Sequence, residues 1–260
     1  MAQVHLENVT VRFGSGKTNQ ITALQNLDLV IPEEQFAVIV GPSGCGKSSA
    51  LDLVAGLNRA TEGRVTLGNT VIEKPGSERG MVPQNYSLFP WLTVQKNVEY
   101  GLALNNAPKA ERTERASHYV EAVGLTKFRE SYPSQLSGGM KQRVAIARAL
   151  AVNPEVLLMD EPFGALDSQT RSVMQELLLK IWQQERKTVL FITHDIDEAL
   201  YLGDVVYVMS ARPGRIMDTV EVGIERPRDY SVTTSQEFVD LKKRIMSSLH
   251  AEVDKALAMA

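Results

Sequence analysis

Glycines, one lysine and a few carboxylates and hydroxyls at fixed spacings carry the chemistry that this sequence can support. Gly41-Pro42-Ser43-Gly44-Cys45-Gly46-Lys47-Ser48 fits the pattern G-x-x-x-x-G-K-[ST]. In such a loop backbone N–H groups cradle phosphates, the lysine reaches the β/γ-phosphates and the hydroxyl holds Mg²⁺. Asp160-Glu161 closes the apolar run Val156-Leu157-Leu158-Met159, and His194 follows a second run, Thr188 to Ile192. Carboxylates at the C-terminal end of a parallel strand lie where ligands bind. Asp160 is therefore a candidate Mg²⁺ ligand, and Glu161 a candidate to orient or deprotonate water. A lone histidine is more often structural, yet His194 at such a strand end is a fair γ-phosphate contact. Ser137-Gly138-Gly139 reads either as a capped helix start or as a second phosphate-facing helix N-terminus. Cys45, inside the loop beside a helix start, is expected to have a lowered pKa and to react with alkylating agents.

The elements around these residues have the shapes needed to position them. Phe36 to Val40 is an unbroken apolar run suited to a buried parallel strand, and Ser49 to Ala55 reads as a helix, so the loop joins a strand end to a helix N-terminus. Val4 to Phe13 and Leu27 to Ile31 read as strands, with a turn at Gly14-Ser15-Gly16 between them. Phe13 is either a core aromatic or a ring that stacks on a nucleotide base. Arg64 to Leu67 and Arg79 to Val82 are short strands, the second delivering Gln84. Leu88-Phe89-Pro90-Trp91-Leu92-Thr93-Val94 either packs inside a helical subdomain or forms an exposed groove for another protein. Val94 to Leu150 is largely helical, with one helix over Lys109 to Val123 closed by Gly124. Val205 to Met209 and Arg215 to Val222 read as closing strands. Thr234 and Glu237 suggest a capping box for a last helix with Phe238, Leu241, Ile245, Leu249, Val253 and Leu257 along one stripe.

Composition narrows the class. The 260 residues, 43% hydrophobic and 23% charged, suit one large globular domain or a core with an inserted subdomain. No segment approaches the ~18 unbroken apolar residues of a membrane span, and the N-terminus lacks a signal-peptide shape. A soluble, cytosolic protein is the expectation. The single cysteine excludes an internal disulfide, and a net charge of -3 argues against a nucleic-acid partner.

With these pieces in order, nearly the whole chain resembles the ATP-binding cassette subunit of a bacterial ABC transporter. Gly41 to Ser48 resembles Walker A, Gln84 the Q-loop, and Leu136-Ser137-Gly138-Gly139-Met140-Lys141-Gln142-Arg143 the signature. Asp160-Glu161 resembles the end of Walker B, Ala165-Leu166-Asp167 the D-loop and His194 the switch histidine. Leu88-Phe89-Pro90-Trp91, Ser210 to Arg215, Arg226-Pro227-Arg228 and Glu237-Phe238 resemble the importers for nitrate, sulfonate and taurine, and Met174 to Trp182 the taurine type. Ser49 stands where threonine is usual, and Val82-Pro83-Gln84 where Val-Phe-Gln is commoner.

The resemblance implies an α/β fold: a P-loop NTPase (RecA-like) core with an antiparallel β subdomain and an inserted α-helical signature subdomain. The ATPase domain would span 1–225, the helical insert about 88–152, and a helical tail 226–260. It implies an ATPase with ATP and Mg²⁺. Phe13, Gly41, Pro42, Ser43, Gly44, Cys45, Gly46, Lys47, Ser48 and Ser49 would bind nucleotide, joined by Ser137, Gly138 and Gly139 of a second subunit. Ser48, Gln84 and Asp160 would serve the metal, and Glu161, His194, Gln84 and Lys47 catalysis. The partners implied are a second ATPase subunit, identical or a paralogue, integral-membrane permease subunits and, indirectly, a periplasmic or lipid-anchored solute-binding protein. The implied location is peripheral, at the cytoplasmic face of the inner membrane. An exporter's ATPase subunit is the main rival reading. A repair or translation ABC protein would bring two cassettes or coiled-coil insertions, and a P-loop GTPase would bring an Asn-Lys-x-Asp motif.

Overall fold

The computed structural model describes residues 3–14 and 20–258. In chain order the first elements are β1 (Val4–Phe13), β2 (Ile21–Ile31), β3 (Phe36–Val40), α1 (Lys47–Ala55), β4 (Glu62–Leu67) and β5 (Thr70–Val71). The middle of the chain forms β6 (Arg79–Val82), α2 (Val94–Leu104), α3 (Lys109–Ala122), α4 (Gly138–Ala151), β7 (Val156–Asp160) and α5 (Ser168–Glu185). The last part forms β8 (Thr188–Thr193), α6 (Ile196–Leu202), β9 (Val205–Met209), β10 (Ile216–Glu221) and α7 (Gln236–Ala258). Two compact units result: Met1–Gly76 with Lys187–Ala260, and Ser77–Arg186.

The first unit holds two kinds of sheet because its strands carry two kinds of pattern. β1 buries Val4 and Leu6 while His5 and Glu7 face outward, an alternation that suits an antiparallel sheet with one wet face, and the order there is β2-β1-β4-β5. β3 is different, since all five of its residues are fully buried. It lies parallel between β8 and β9, and β10 adds to β9 antiparallel. This is the apolar run without alternation that a strand covered on both faces requires. In the second unit β6 and β7 run parallel, in register from Arg79↔Val156 to Val82↔Met159.

Several boundaries differ from the sequence expectation. β2 begins at Ile21 rather than near Leu27, because the ten-residue β1 offers it a partner along its whole length, through register shifts between Leu6 and Arg12. β4 begins at Glu62 for the same reason. The last helix, from Gln236, is capped one residue later than expected. Thr234 ends a 3₁₀ turn and donates its hydroxyl to the Ser231 carbonyl, and the Phe238 N–H instead donates to Ser235 Oγ. Ser15 and Gly16 of the expected turn, and the side chains of Val253 and Leu257, lie outside the described residues.

Candidate nucleotide site

In the first unit the phosphate loop and His194 leave neighbouring strands at the same level. Val40, the last residue of β3, is paired with Thr193, the last of β8. Gly41 and His194 therefore start at the same C-terminal edge of a parallel sheet, where ligands of open α/β sheets bind. Thr193 is buried, and its Oγ1 accepts the Asp195 N–H at 3.0 Å. Asp195 then caps α6 through the Glu198 N–H at 3.1 Å, leaving His194 exposed between two anchored neighbours.

The loop itself is shaped by contacts that only glycine permits. Gly46 has φ 109°, and a Cβ there would meet Leu24 Cδ2 at 2.7 Å and the Ala23 carbonyl at 2.9 Å. As the N-cap of α1 it brings no side chain to compete for the first-turn N–H groups. Those groups and the helix dipole favour an anion. Lys47 is buried, and its ammonium donates to the carbonyls of Gly41 at 2.9 Å and Pro42 at 3.0 Å. Ser43, Gly44 and Ser48 are exposed, Pro42 and Ser49 half-buried. Phe13 ends β1 with 45% of its surface exposed. A core position for that ring is thereby excluded.

Cys45 departs from expectation. It is only 1% exposed, and a Cβ on Gly41 would lie 3.0 Å from its sulfur. Burial raises its pKa above the ordinary thiol value, against the opposing pull of the Lys47 charge. The helix N-terminus does not win because desolvation of a thiolate costs more than the dipole returns.

The stretch Ser210 to Arg215, which in the sequence carries a family likeness, backs the loop through Arg212 and Gly214. Arg212 donates to the Gly44 carbonyl through Nε at 3.3 Å and Nη2 at 3.1 Å. The Gly214 N–H donates to the Ala23 carbonyl at 2.8 Å, and a Cβ on Gly214 would lie 2.2 Å from the Cys45 carbonyl. No local pattern flags these contacts, because the residues that meet are 168 or more positions apart.

In the second unit another set gathers at strand ends. Val82 and Met159 are paired, so Gln84 and Asp160-Glu161 leave adjacent parallel strands at one edge. Gln84 is exposed, while Asp160 and Glu161 are half-buried. Glu161 has φ 41°, a left-handed backbone that costs a non-glycine residue ~1–3 kcal/mol and that clusters at functional sites. The Ser137 hydroxyl caps α4 by accepting the Met140 N–H at 3.3 Å. Space for the two glycines after it is tight: a Cβ on Gly139 would meet Thr170 Cγ2 at 2.6 Å, and one on Gly138 would meet Tyr86 Oη at 3.1 Å. Asp167 caps α5 through the Thr170 N–H at 3.0 Å, a bond that holds its carboxyl below the usual range.

The aromatic segment after Gln84 is pinned rather than loose. Fully buried Asn97 accepts from the Phe89 N–H and donates to the carbonyls of Phe89, Leu92 and Thr93. Phe89 packs at a tilt against Tyr100 with centroids 4.3 Å apart, and Arg148 lies over the Phe89 ring while donating to the Ser87 carbonyl at 2.7 Å. Trp91 remains 69% exposed, so that ring is not packed in a core.

The fold and these motifs define an ATP-binding cassette. The chain belongs to the ABC transporter family, whose model matches residues 24–164. It is 51% identical, over 98% of this chain and 94% of the relative, to an uncharacterized ABC transporter ATP-binding protein of Methanocaldococcus jannaschii. It is 46% identical to the nitrate import ATP-binding protein of Synechocystis, covering 99% of this chain and all of that one. Identity is also 46% with the taurine import ATP-binding protein of Rhizobium johnstonii, covering 96% and 97%. A solved dimeric ATP-binding cassette in a post-hydrolysis state bound to ADP and Pi superposes with TM-score 0.75 at 36% identity, covering 85% of this chain and all of that one. The chain is thus an ATP-hydrolysing subunit of the ABC class, coupled to transport.

Proposed function

We propose that this chain energises an importer of a small anionic or zwitterionic solute of the nitrate, taurine or alkanesulfonate class. The observation that carries the reading is 46% identity to the nitrate and taurine import subunits alike, over 99% and 96% of this chain. Among the described residues no helix is long and apolar enough to cross a membrane. The work would therefore be delivered to separate permease subunits at the cytoplasmic face of the inner membrane, with exposed Trp91 beside Phe89 as the docking anchor. A solute-binding protein would select the solute.

Two copies, identical or paralogous, would enclose each ATP between Gly41–Ser48 of one and Ser137–Gly139 of the other. The neighbour structures being dimeric cassettes supports this. The metal reading rests on donor chemistry. Ser48, Asp160 and Gln84 offer hard oxygen atoms, and one carboxylate with a hydroxyl beside substrate phosphates is the habit of Mg²⁺. When bound, Mg²⁺ would neutralise charge on the phosphates. Lys47 would leave its two loop carbonyls for the β/γ-phosphates, and Phe13 would stack on the base. Glu161 would accept the proton of the water that attacks the γ-phosphorus as the bond to ADP breaks, and His194 would hold the terminal phosphate.

Glu161→Gln tests this reading, since it keeps the shape and removes the proton acceptor. Turnover should fall by ~10² to 10⁴ while ATP binding persists. The variant should then run as an ATP-dependent dimer on size exclusion. Near-normal ATPase activity in that variant would overturn the role of Glu161. Identification of the small molecule held by the co-purifying solute-binding protein tests the solute class.

A further inference from the structure

We propose that Arg228 is a positioning residue for hydrolysis, which sets His194 by clamping the far end of α6; this rests on the reading above that His194 contacts the terminal phosphate. α6 has only two turns, no basic residue in its last turn, and at Gly203 an extended backbone rather than a left-handed cap. Its last carbonyls therefore lack the usual local partners. Arg228 supplies them from outside the helix. Its Nη1 donates to the carbonyls of Leu200 at 3.0 Å, Tyr201 at 3.1 Å and Gly203 at 2.7 Å. Its other nitrogens donate to Ile224 and Val222, and the Tyr201 hydroxyl returns a bond to the Arg228 carbonyl at 3.3 Å.

Arg228 is 7% exposed, and burial with Arg226 nearby pushes its pKa down to about 10. A buried cation is costly unless its donors are hydrogen-bonded, and here five main-chain oxygens accept from it. Arg226 completes the clamp by donating to the Leu202 carbonyl and to Asp204 Oδ1, while Asp204 Oδ2 accepts the Phe36 N–H at 2.8 Å at the start of β3. Lys242 of α7 holds Asp197 in the first turn of α6, 2.6 Å apart. Both ends of α6 are thus tied, and His194 is joined to its N-terminal end through the Asp195 cap. A helix that pivots at Leu202 moves that histidine. The Arg226-Pro227-Arg228 stretch, a family marker in the sequence, has this as its physical task.

The test is steady-state ATPase kinetics of the full chain with R228K, H194A and the double variant, alongside hydrogen exchange of the 196–202 amides. Lysine keeps the charge but cannot span five carbonyls. R228K should speed exchange in α6 and lower kcat about tenfold while KM for ATP stays within about twofold, the signature of a displaced group rather than lost binding. In the H194A background R228K should have no further effect. Normal kcat in folded R228K, or losses that multiply with those of H194A, would overturn the proposal. Wild-type turnover in H194A alone would instead overturn the reading of His194, and with it the clamp's catalytic role. If R228K does not fold, R226K, which loosens only the Leu202 and Asp204 contacts, is judged by the same exchange and kinetic outcomes.

Discussion

The guanidinium of Arg212 donates to the carbonyl oxygen of Gly44 at 3.1 Å, so the outermost turn of the phosphate loop is held by a residue 168 positions later. Arg212 is exposed. The bond is made to a glycine whose backbone is left-handed, φ 75°. Arg212→Ala should therefore weaken ATP binding by about 0.5–1.5 kcal/mol, the net worth of one hydrogen bond, with kcat nearly unchanged. Titration with Mg-ATP measures it. A variant with unaltered affinity would show that the loop holds its shape unaided.

Cys45 should be a slow nucleophile in the folded protein. Its sulfur is buried against Gly41, and desolvation raises its pKa, so the thiolate fraction at any pH lies below that of a free cysteine. Alkylation followed by mass spectrometry should show little labelling of native protein and full labelling in denaturant. Equal rates in the two states would contradict the buried placement.

Trp91→Ala should separate docking from folding. A ring 69% exposed contributes little to stability, so the unfolding free energy should change by no more than the ~0.5 kcal/mol typical of surface changes. Capture of the permease should weaken by ~2 kcal/mol, as for an aromatic anchor. Loss of thermal stability with full capture would instead place the ring in the core.

Tyr119 predicts an alkaline sensitivity. Burial, and then its 2.8 Å bond to Glu185 Oε1, raise the phenol pKa. A raised folded pKa means that the contribution to stability is complete below the unfolded value of about 10 and is lost as pH rises above it. Tyr119→Phe should cost about 1 kcal/mol at pH 8, and the gap to wild type should shrink between pH 9.5 and 11. Urea midpoints across that range measure it, and a constant gap would refute the assignment.

Much of the candidate site is legible in the primary sequence. Gly41 to Ser48, Ser137 to Gly139 and Asp160-Glu161 announce themselves because their chemistry depends on spacing within one loop or strand end, and the α/β class follows from the apolar runs that precede them. Local pattern served the caps less evenly. Ser137 caps α4 as its sequence suggests, whereas the last helix takes Ser235 instead of Thr234, since a 3₁₀ turn consumes the threonine hydroxyl.

Contacts between distant segments could not be read this way. Cys45 has a reactive setting by local rules, yet packing against Gly41 and desolvation reverse its pKa shift. Arg212 reaches Gly44, and Arg228 reaches α6, across gaps with no periodicity to betray them. Phosphate chemistry is written in short spacings because a loop must fold onto its ligand by itself. The support of that loop and of His194 emerges only when remote strands and tail meet, since burial and a second hydrogen-bond partner are properties of packing.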